Sequence, residues 1–336
     1  MSAVIIDFFV LTGFLGSGKT SLLRDVLGAE TASDTAVIVN EAGEVGLDGV
    51  LLRESGDDLP MAMLSNGCVC CQVGSDLAFT IDRLIMTPRP AGLPPLRRII
   101  LETSGLSMPG PVLRQLATLA EHRMRVAVIA TYDLTRGLAV AEFEEAAAQW
   151  AAAHRIVATK ADLVPDTLIE APVSIAQLNP VAEAIATVDR TAAVSAAFAP
   201  LAASLPSREV ALERRAAHPR LALCLVRPRG EIAYADLAGW LDNVAGALGE
   251  RLLRIKGLVR VHEAPRPLLV ESVGTMFSPP RQLTAEKPPA PFLVVIARDI
   301  DRAELEQVAP TGLFTFSWRA SESGVAPRGI RAEWVT

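Results

Sequence analysis

The octapeptide Gly13-Phe14-Leu15-Gly16-Ser17-Gly18-Lys19-Thr20 fits G-x-x-x-x-G-K-[ST], and no other feature of the chain limits its fold so strongly. A loop of this kind works between a strand and a helix. Its backbone N–H groups curl around an anion, and the helix that follows points its positive dipole end at the same place. The flanks comply, with an apolar run over 5–12 and a helical pattern from Ser21. Gly13, Gly16 and Gly18 allow the curl, and Ser17 and Ser21 are expected to bind the nucleotide with them. Lys19 is expected to reach the terminal phosphates and Thr20 to offer its hydroxyl to Mg²⁺.

The rest of the first half supports that setting. Strand candidates at 36–40, 98–102, 126–132 and 155–159 alternate with helical stretches at 21–27, 77–86, 112–120 and 140–152. Near-continuous apolar strands alternating with helices predict a parallel sheet covered on both faces, an α/β P-loop NTPase domain. From about 194 the pattern dissolves into Ala, Ser and Pro, and 208–220 is charged. Strands at 221–226, 252–262, 267–275 and 292–297 with a helix at 234–248 then predict a small α+β domain. The division expected is 1–195 for the P-loop domain, 196–219 for a linker, 220–316 for the second domain and 317–336 for a tail.

At 336 residues two domains fit, and the net charge of −6 argues against nucleic acid as partner. The N-terminus lacks a charged n-region, and no apolar run is long enough to span a membrane, so a cytoplasmic protein with no membrane partner is expected.

A P-loop needs an acidic residue at a neighbouring strand end to hold the Mg²⁺ shell or orient water. The segment RRIILETSG ends a strand at Glu102 and then supplies Gly105, whose backbone can approach a γ-phosphate. Lys19 and Glu102 are therefore the expected catalytic pair. Base choice follows from Thr159-Lys160-Ala161-Asp162, similar to an [NT]KxD element. The Asp162 carboxylate can accept from both N–H donors of guanine, Lys160 would lie along the base, and Thr159 stands where Asn is more usual. GTP is the nucleotide expected.

Cys68, Cys70 and Cys71 crowd three thiols into four positions. Cys68 and Cys71 have C-x-x-C spacing, which suits a thiophilic ion such as Zn²⁺. A redox dithiol and inert buried cysteines are the alternatives. Cys224, alone in a C-terminal strand, reads as a buried apolar residue.

Taken together, GFLGSGKT, VNEAGEVGLDG (39–49), GCVCC (67–71), ETSG (102–105) and TKAD (159–162) occur in the order seen in the CobW-like family of metal-handling GTPases, relatives of the urease and hydrogenase nickel-insertion GTPases. The segments LLRIKGLVRV (252–261) and FLVVIARDID (292–301) resemble that family's C-terminal domain, so the likeness covers nearly the whole chain. The resemblance implies a GTP-dependent metallochaperone that binds Zn²⁺ or Co²⁺ at the CxCC thiols and delivers it to a client metalloenzyme. It implies that 39–49 is a γ-phosphate switch holding Glu41 and Glu44, either of which can add an oxygen ligand or place water, with Glu41 the expected ligand. It also implies a monomer or a nucleotide-dependent homodimer. Two departures stand out: Ala42 replaces a frequent aromatic and Met108 a frequent Asp. The histidines are only four, at 122, 154, 218 and 262, and form no metal-storing tract. No arginine finger is assignable, so slow intrinsic hydrolysis is expected. A GTP-dependent regulator with redox-sensing thiols is the rival reading; an ATP-using kinase is disfavoured by TKAD.

Overall fold

The structure, a computed structural model, describes residues 5–28, 33–40, 61–64, 74–89, 92–200, 220–283 and 290–318. The first sheet is built from β1 (Asp7–Thr12), β2 (Thr35–Asn40), β3 (Met61–Leu64), β4 (Arg98–Glu102), β5 (Arg125–Asp133), β6 (Arg155–Thr159) and β7 (Glu183–Ile185). All its pairings are parallel, in the order β3-β2-β4-β1-β5-β6-β7. The helices are α1 (Lys19–Leu27), α2 (Gly74–Met86), α3 (Pro109–Ala117), α4 (Glu144–Ala152), α5 (Ala171–Leu178) and α6 (Arg190–Ala197).

Strand β1 shows why the sheet must be covered twice. Phe8 and Val10 enter one apolar cluster with Leu77, Val112 and Trp150, while Phe9 and Leu11 enter another with Leu23, Val26 and Ala197. Alternate side chains point to opposite faces, so a strand apolar at every position from Phe8 to Leu11 needs helices on both. Phe9 meets Phe198 edge to face at 5.4 Å.

The second sheet is antiparallel. Its strands are β8 (Leu221–Pro228), β9 (Leu252–Val259), β10 (Leu268–Val273), β11 (Met276–Phe277), β12 (Arg281–Gln282), β13 (Phe292–Arg298) and β14 (Phe314–Trp318), ordered β11-β10-β9-β13-β8-β14 with β12 on β10. One face is covered by α7 (Tyr234–Leu248) through Leu237, Trp240 and Val244, with Leu305 of α8 (Arg302–Gln307) in the same cluster. The other face, through Leu223, Leu225, Val294 and Ile296, joins the core of the first domain.

Helix α4 lies between the two sheets. Residues 146–152 are all buried, as expected for a helix with a layer on either side. Its ends are tied to both domains. The side-chain amide of Asn179 donates to the carbonyls of Trp150, Ala151 and Ala153. From the second domain, the guanidinium of Arg254 donates to the Ala152 carbonyl. A buried cation there meets the negative end of the helix dipole. Near the other end Arg298 pairs with Glu144 at 2.6 Å, and Arg220 donates to the Glu142 carbonyl at 3.0 Å. Among the described residues no helix is long and apolar enough to cross a membrane.

His154, just after α4, is half-buried. Its Nδ1 accepts from the Val128 N–H at 3.0 Å, so the ring proton belongs on Nε2. Burial first, and then the Arg254, Lys256, Arg155 and Arg281 cations, hold the imidazole well below its ordinary value. The unfolded chain therefore takes up a proton near the ordinary histidine value that the folded chain refuses, and stability is lost as pH falls below it. The melting temperature should drop between about pH 7.5 and 5.5, with a limiting slope of ~1.4 kcal/mol per pH unit. Scanning fluorimetry of His154→Gln, which keeps an acceptor for Val128, should give a flatter profile.

Candidate nucleotide site

Strand β1 ends at the centre of the parallel sheet, and its next residues turn back into α1. Gly13, Gly16 and Gly18 have φ of 148°, 69° and 94°. A Cβ on Gly13 would stand 1.9 Å from Thr131 Oγ1, so close approach as well as conformation requires glycine. Ser17 turns its hydroxyl inward, to the Phe14 carbonyl at 2.6 Å and to Thr131 Oγ1 at 2.6 Å. The Ser17 side chain thus braces the loop, while Ser21, one turn on, is exposed. Lys19 is buried and donates to the carbonyls of Gly13 at 2.8 Å and Phe14 at 3.2 Å, which arches its ammonium over the loop.

The Thr20 hydroxyl donates to Glu102 Oε1 at 2.7 Å. Glu102 is buried at the end of β4, in register with Leu11 of β1 and Val39 of β2. A hydroxyl and a carboxylate together form the hard-oxygen donor set that suits Mg²⁺. Gly105 presses on the loop: a Cβ there would lie 2.7 Å from the Leu15 N atom. The two motifs therefore meet in space, 82 positions apart in sequence at Thr20 and Glu102.

The TKAD turn closes the other side. Thr159 Oγ1 donates to the Ser17 carbonyl at 2.8 Å and the Tyr132 carbonyl at 3.2 Å, so the hydroxyl ties this turn to the phosphate loop. Lys160 takes a left-handed φ of 59° and pairs with Asp133 Oδ2 at 2.6 Å. Asp162 is exposed.

Sequence reasoning passed over Asp133 and Arg136. Asp133 is buried at the end of β5 and also accepts from the N–H and hydroxyl of Thr135 at 2.9 and 2.6 Å. Burial opposes its ionisation, yet the Lys160 and Thr135 donors outweigh burial and hold the carboxyl below its ordinary range. Arg136 donates to the Leu15 carbonyl at 2.9 Å. The signal for Asp133 was the one used for Glu102, an acid closing a strand next to β1. Phe14 stacks on Phe143 with centroids 4.7 Å apart, a pair worth about 1 kcal/mol.

Cys68, Cys70, Cys71, Glu41 and Glu44 lie outside the described residues. Among the described residues no three His, Cys, Asp or Glu side chains gather as a metal site. Cys224 is buried, its thiol pushed up to about 12 chiefly by burial.

Residues 7–186 match the family model described as CobW/HypB/UreG, nucleotide-binding domain. The chain belongs to the CobW/HypB/UreG family. Residues 222–308 match the cobalamin synthesis protein CobW C-terminal domain, so both halves carry the family signature. Zinc chaperone CobW of Pseudomonas aeruginosa is 29% identical, with 90% of each chain covered. Zinc chaperone YjiA of Escherichia coli is 26% identical over 80% of this chain and 86% of its own. The crystal structure of Zn(II)-bound YjiA GTPase from E. coli superposes with a TM-score of 0.66 at 19% identity, over 90% of this chain and 98% of that one, which shows the shared two-domain fold.

Gly13→Ala should distort the CobW-type phosphate loop through both its φ and the Thr131 contact. Strain of about 1–3 kcal/mol predicts roughly ten- to hundredfold weaker nucleotide binding, measured by titration with a fluorescent nucleotide.

Proposed function

We propose that this protein is a GTP-hydrolysing metallochaperone. It takes up Zn²⁺ or Co²⁺ at Cys68, Cys70 and Cys71, with Glu41 as a further oxygen ligand, and hands the ion to a client metalloenzyme under control of the bound nucleotide. The observation that carries this reading is the strand register at one edge of the first sheet. Asn40, the last residue of β2, pairs with Leu64, the last residue of β3, and Val39 pairs with Glu102. Glu41 follows Asn40 directly, and Cys68 is the fourth residue after Leu64. Both segments therefore leave the sheet at strand ends in register beside Glu102, which accepts from the Thr20 hydroxyl. The zinc chaperone names of the CobW and YjiA relatives support the same cargo.

In this reading, the N–H groups of the 13–20 loop and the α1 N-terminus receive the phosphates, and Lys19 neutralises the terminal ones. Thr20 and Glu102 would hold Mg²⁺, an ion that would supply positive charge against the phosphates. The Gly105 N–H approaches the γ-phosphate, and Glu102 helps to orient the attacking water. Asp162 accepts from guanine. Lys160, steered by Asp133, lies along the base, and Thr159 fastens the base-binding turn to the loop. Cysteine thiols must shed protons to bind an ion, so uptake weakens in acid. A switch that senses γ-phosphate alters the ion's affinity when hydrolysis occurs.

Two measurements test the reading. Nucleotide titration should favour GTP over ATP by at least about tenfold, because adenine lacks the donor pair that Asp162 accepts; equal affinities defeat the guanine assignment. Zn²⁺ and Co²⁺ titrations with GTP analogue, with GDP and without nucleotide should give different affinities, all weakened in Cys70→Ala. Uptake no greater than that of the variant would instead favour the redox-sensing reading, and equal affinities in all three states would end the gating idea.

A further inference from the structure

Gln149 is the one polar side chain within the buried run of α4, and it is fully enclosed among alanines and Trp150. Its amide nitrogen donates twice, to the Gly105 carbonyl at 3.1 Å and to the Ser107 carbonyl at 3.0 Å. These bonds fix the amide orientation, since a flipped group would set its oxygen against two carbonyls. Gln149 Oε1 is buried without a hydrogen-bond partner. A polar group left half satisfied in a dry interior is costly. The glutamine is therefore kept at a cost, and what it gains is its hold on the Gly105 and Ser107 carbonyls.

The turn it holds is the one that touches the phosphate loop. Gly105 lies against the Leu15 backbone so closely that a Cβ would not fit. Within the turn, the Ser107 N–H donates to the Ser104 carbonyl at 3.0 Å. In a trans peptide that directs the Gly105 N–H the opposite way, out of the turn. Two anchors therefore set the turn: the Gln149 amide behind it and the Leu15 backbone in front. Moving the anchor behind moves the Gly105 N–H relative to whatever the loop holds.

We propose that Gln149 is a positioning residue for the nucleotide reaction, holding the Gly105 turn where its N–H meets the terminal phosphate of a nucleoside triphosphate. The proposal rests on the GTPase reading above and adds to it a residue that touches neither nucleotide nor metal. Because only the terminal phosphate reaches this turn, Gln149 discriminates between triphosphate and diphosphate and contributes little to holding the base or the first two phosphates.

The test compares wild type with Gln149→Met, which keeps the length but loses both donors, in the full-length protein. GDP affinity should stay within about threefold, while affinity for a β,γ-imido GTP analogue falls about tenfold and single-turnover hydrolysis about ten- to a hundredfold, the scale expected for small misplacements of a reacting group. An unchanged ratio of analogue to GDP affinity in a variant that still binds GDP overturns the proposal. If Gln149→Met does not fold, Gln149→Asn, whose amide is too short to reach both carbonyls, is read by the same ratio. A residue with a purely structural role would shift melting temperature and both affinities together, which also overturns the proposal. A wild-type protein that prefers ATP would defeat the guanine assignment alone; the Gln149 ratio is then taken with β,γ-imido ATP and ADP.

Discussion

A backbone can cradle an anion only while enough of its N–H groups are kept from pairing with anything else. In this chain that constraint falls on the residues between β1 and α1, and much of the first domain serves it. Thr131 of β5 fills the space behind Gly13 and bonds Ser17. Thr159 of β6 takes the Ser17 carbonyl, Lys19 takes those of Gly13 and Phe14, and Arg136 takes that of Leu15. The carbonyls of the loop are thus drawn off by its own Lys19 and by side chains at or just beyond the ends of β5 and β6, which leaves the opposite edge of the ribbon to face the phosphates. The central place of β1 in the sheet makes this possible, because it puts β4 and β5 in hydrogen-bonding contact with it on either side.

Much of this was legible in the sequence. β4 and β6 match the expected 98–102 and 155–159, and α7 matches the expected 234–248. These segments have strong periodicity or β-branched runs that no tertiary contact overrides. What was missed had weaker local signals. β3 reads Met-Ala-Met-Leu, residues that favour helix, and becomes a strand by pairing with β2. α5 and α6 are short, and α6 extends into residues where the pattern was read as dissolving; an Asp189 cap on Ala192 N starts it. β14 runs through Trp318 into the expected tail, its Phe314, Phe316 and Trp318 alternating against the second core. In the site, Lys19, Thr20, Glu102 and the glycines were legible because each motif carries its own chemistry. Gln149 and Asp133 were not read, since their roles depend on partners 44 and 27 positions away.

The comparisons with known proteins and the geometry meet on the family but reach different depths. Both halves of the chain match CobW-type models, and the fold agrees with YjiA over most of both chains. The strand register goes further in one respect, because it brings the departure points of two chemically different segments to one sheet edge.

The cap that Arg254 places on the last turn of α4 has a thermodynamic consequence. That helix touches the second domain at its end and the Gly105 turn at its middle through Gln149. Any ligand that changes the preferred seating of one partner must, by linkage, be favoured or disfavoured by the other to the same extent. Whatever docks on the second domain and shifts its sheet against α4 would thus alter triphosphate affinity, and triphosphate would alter docking by an equal factor. Coupling across this helix has no preferred direction; whichever ligand is in better supply biases the other.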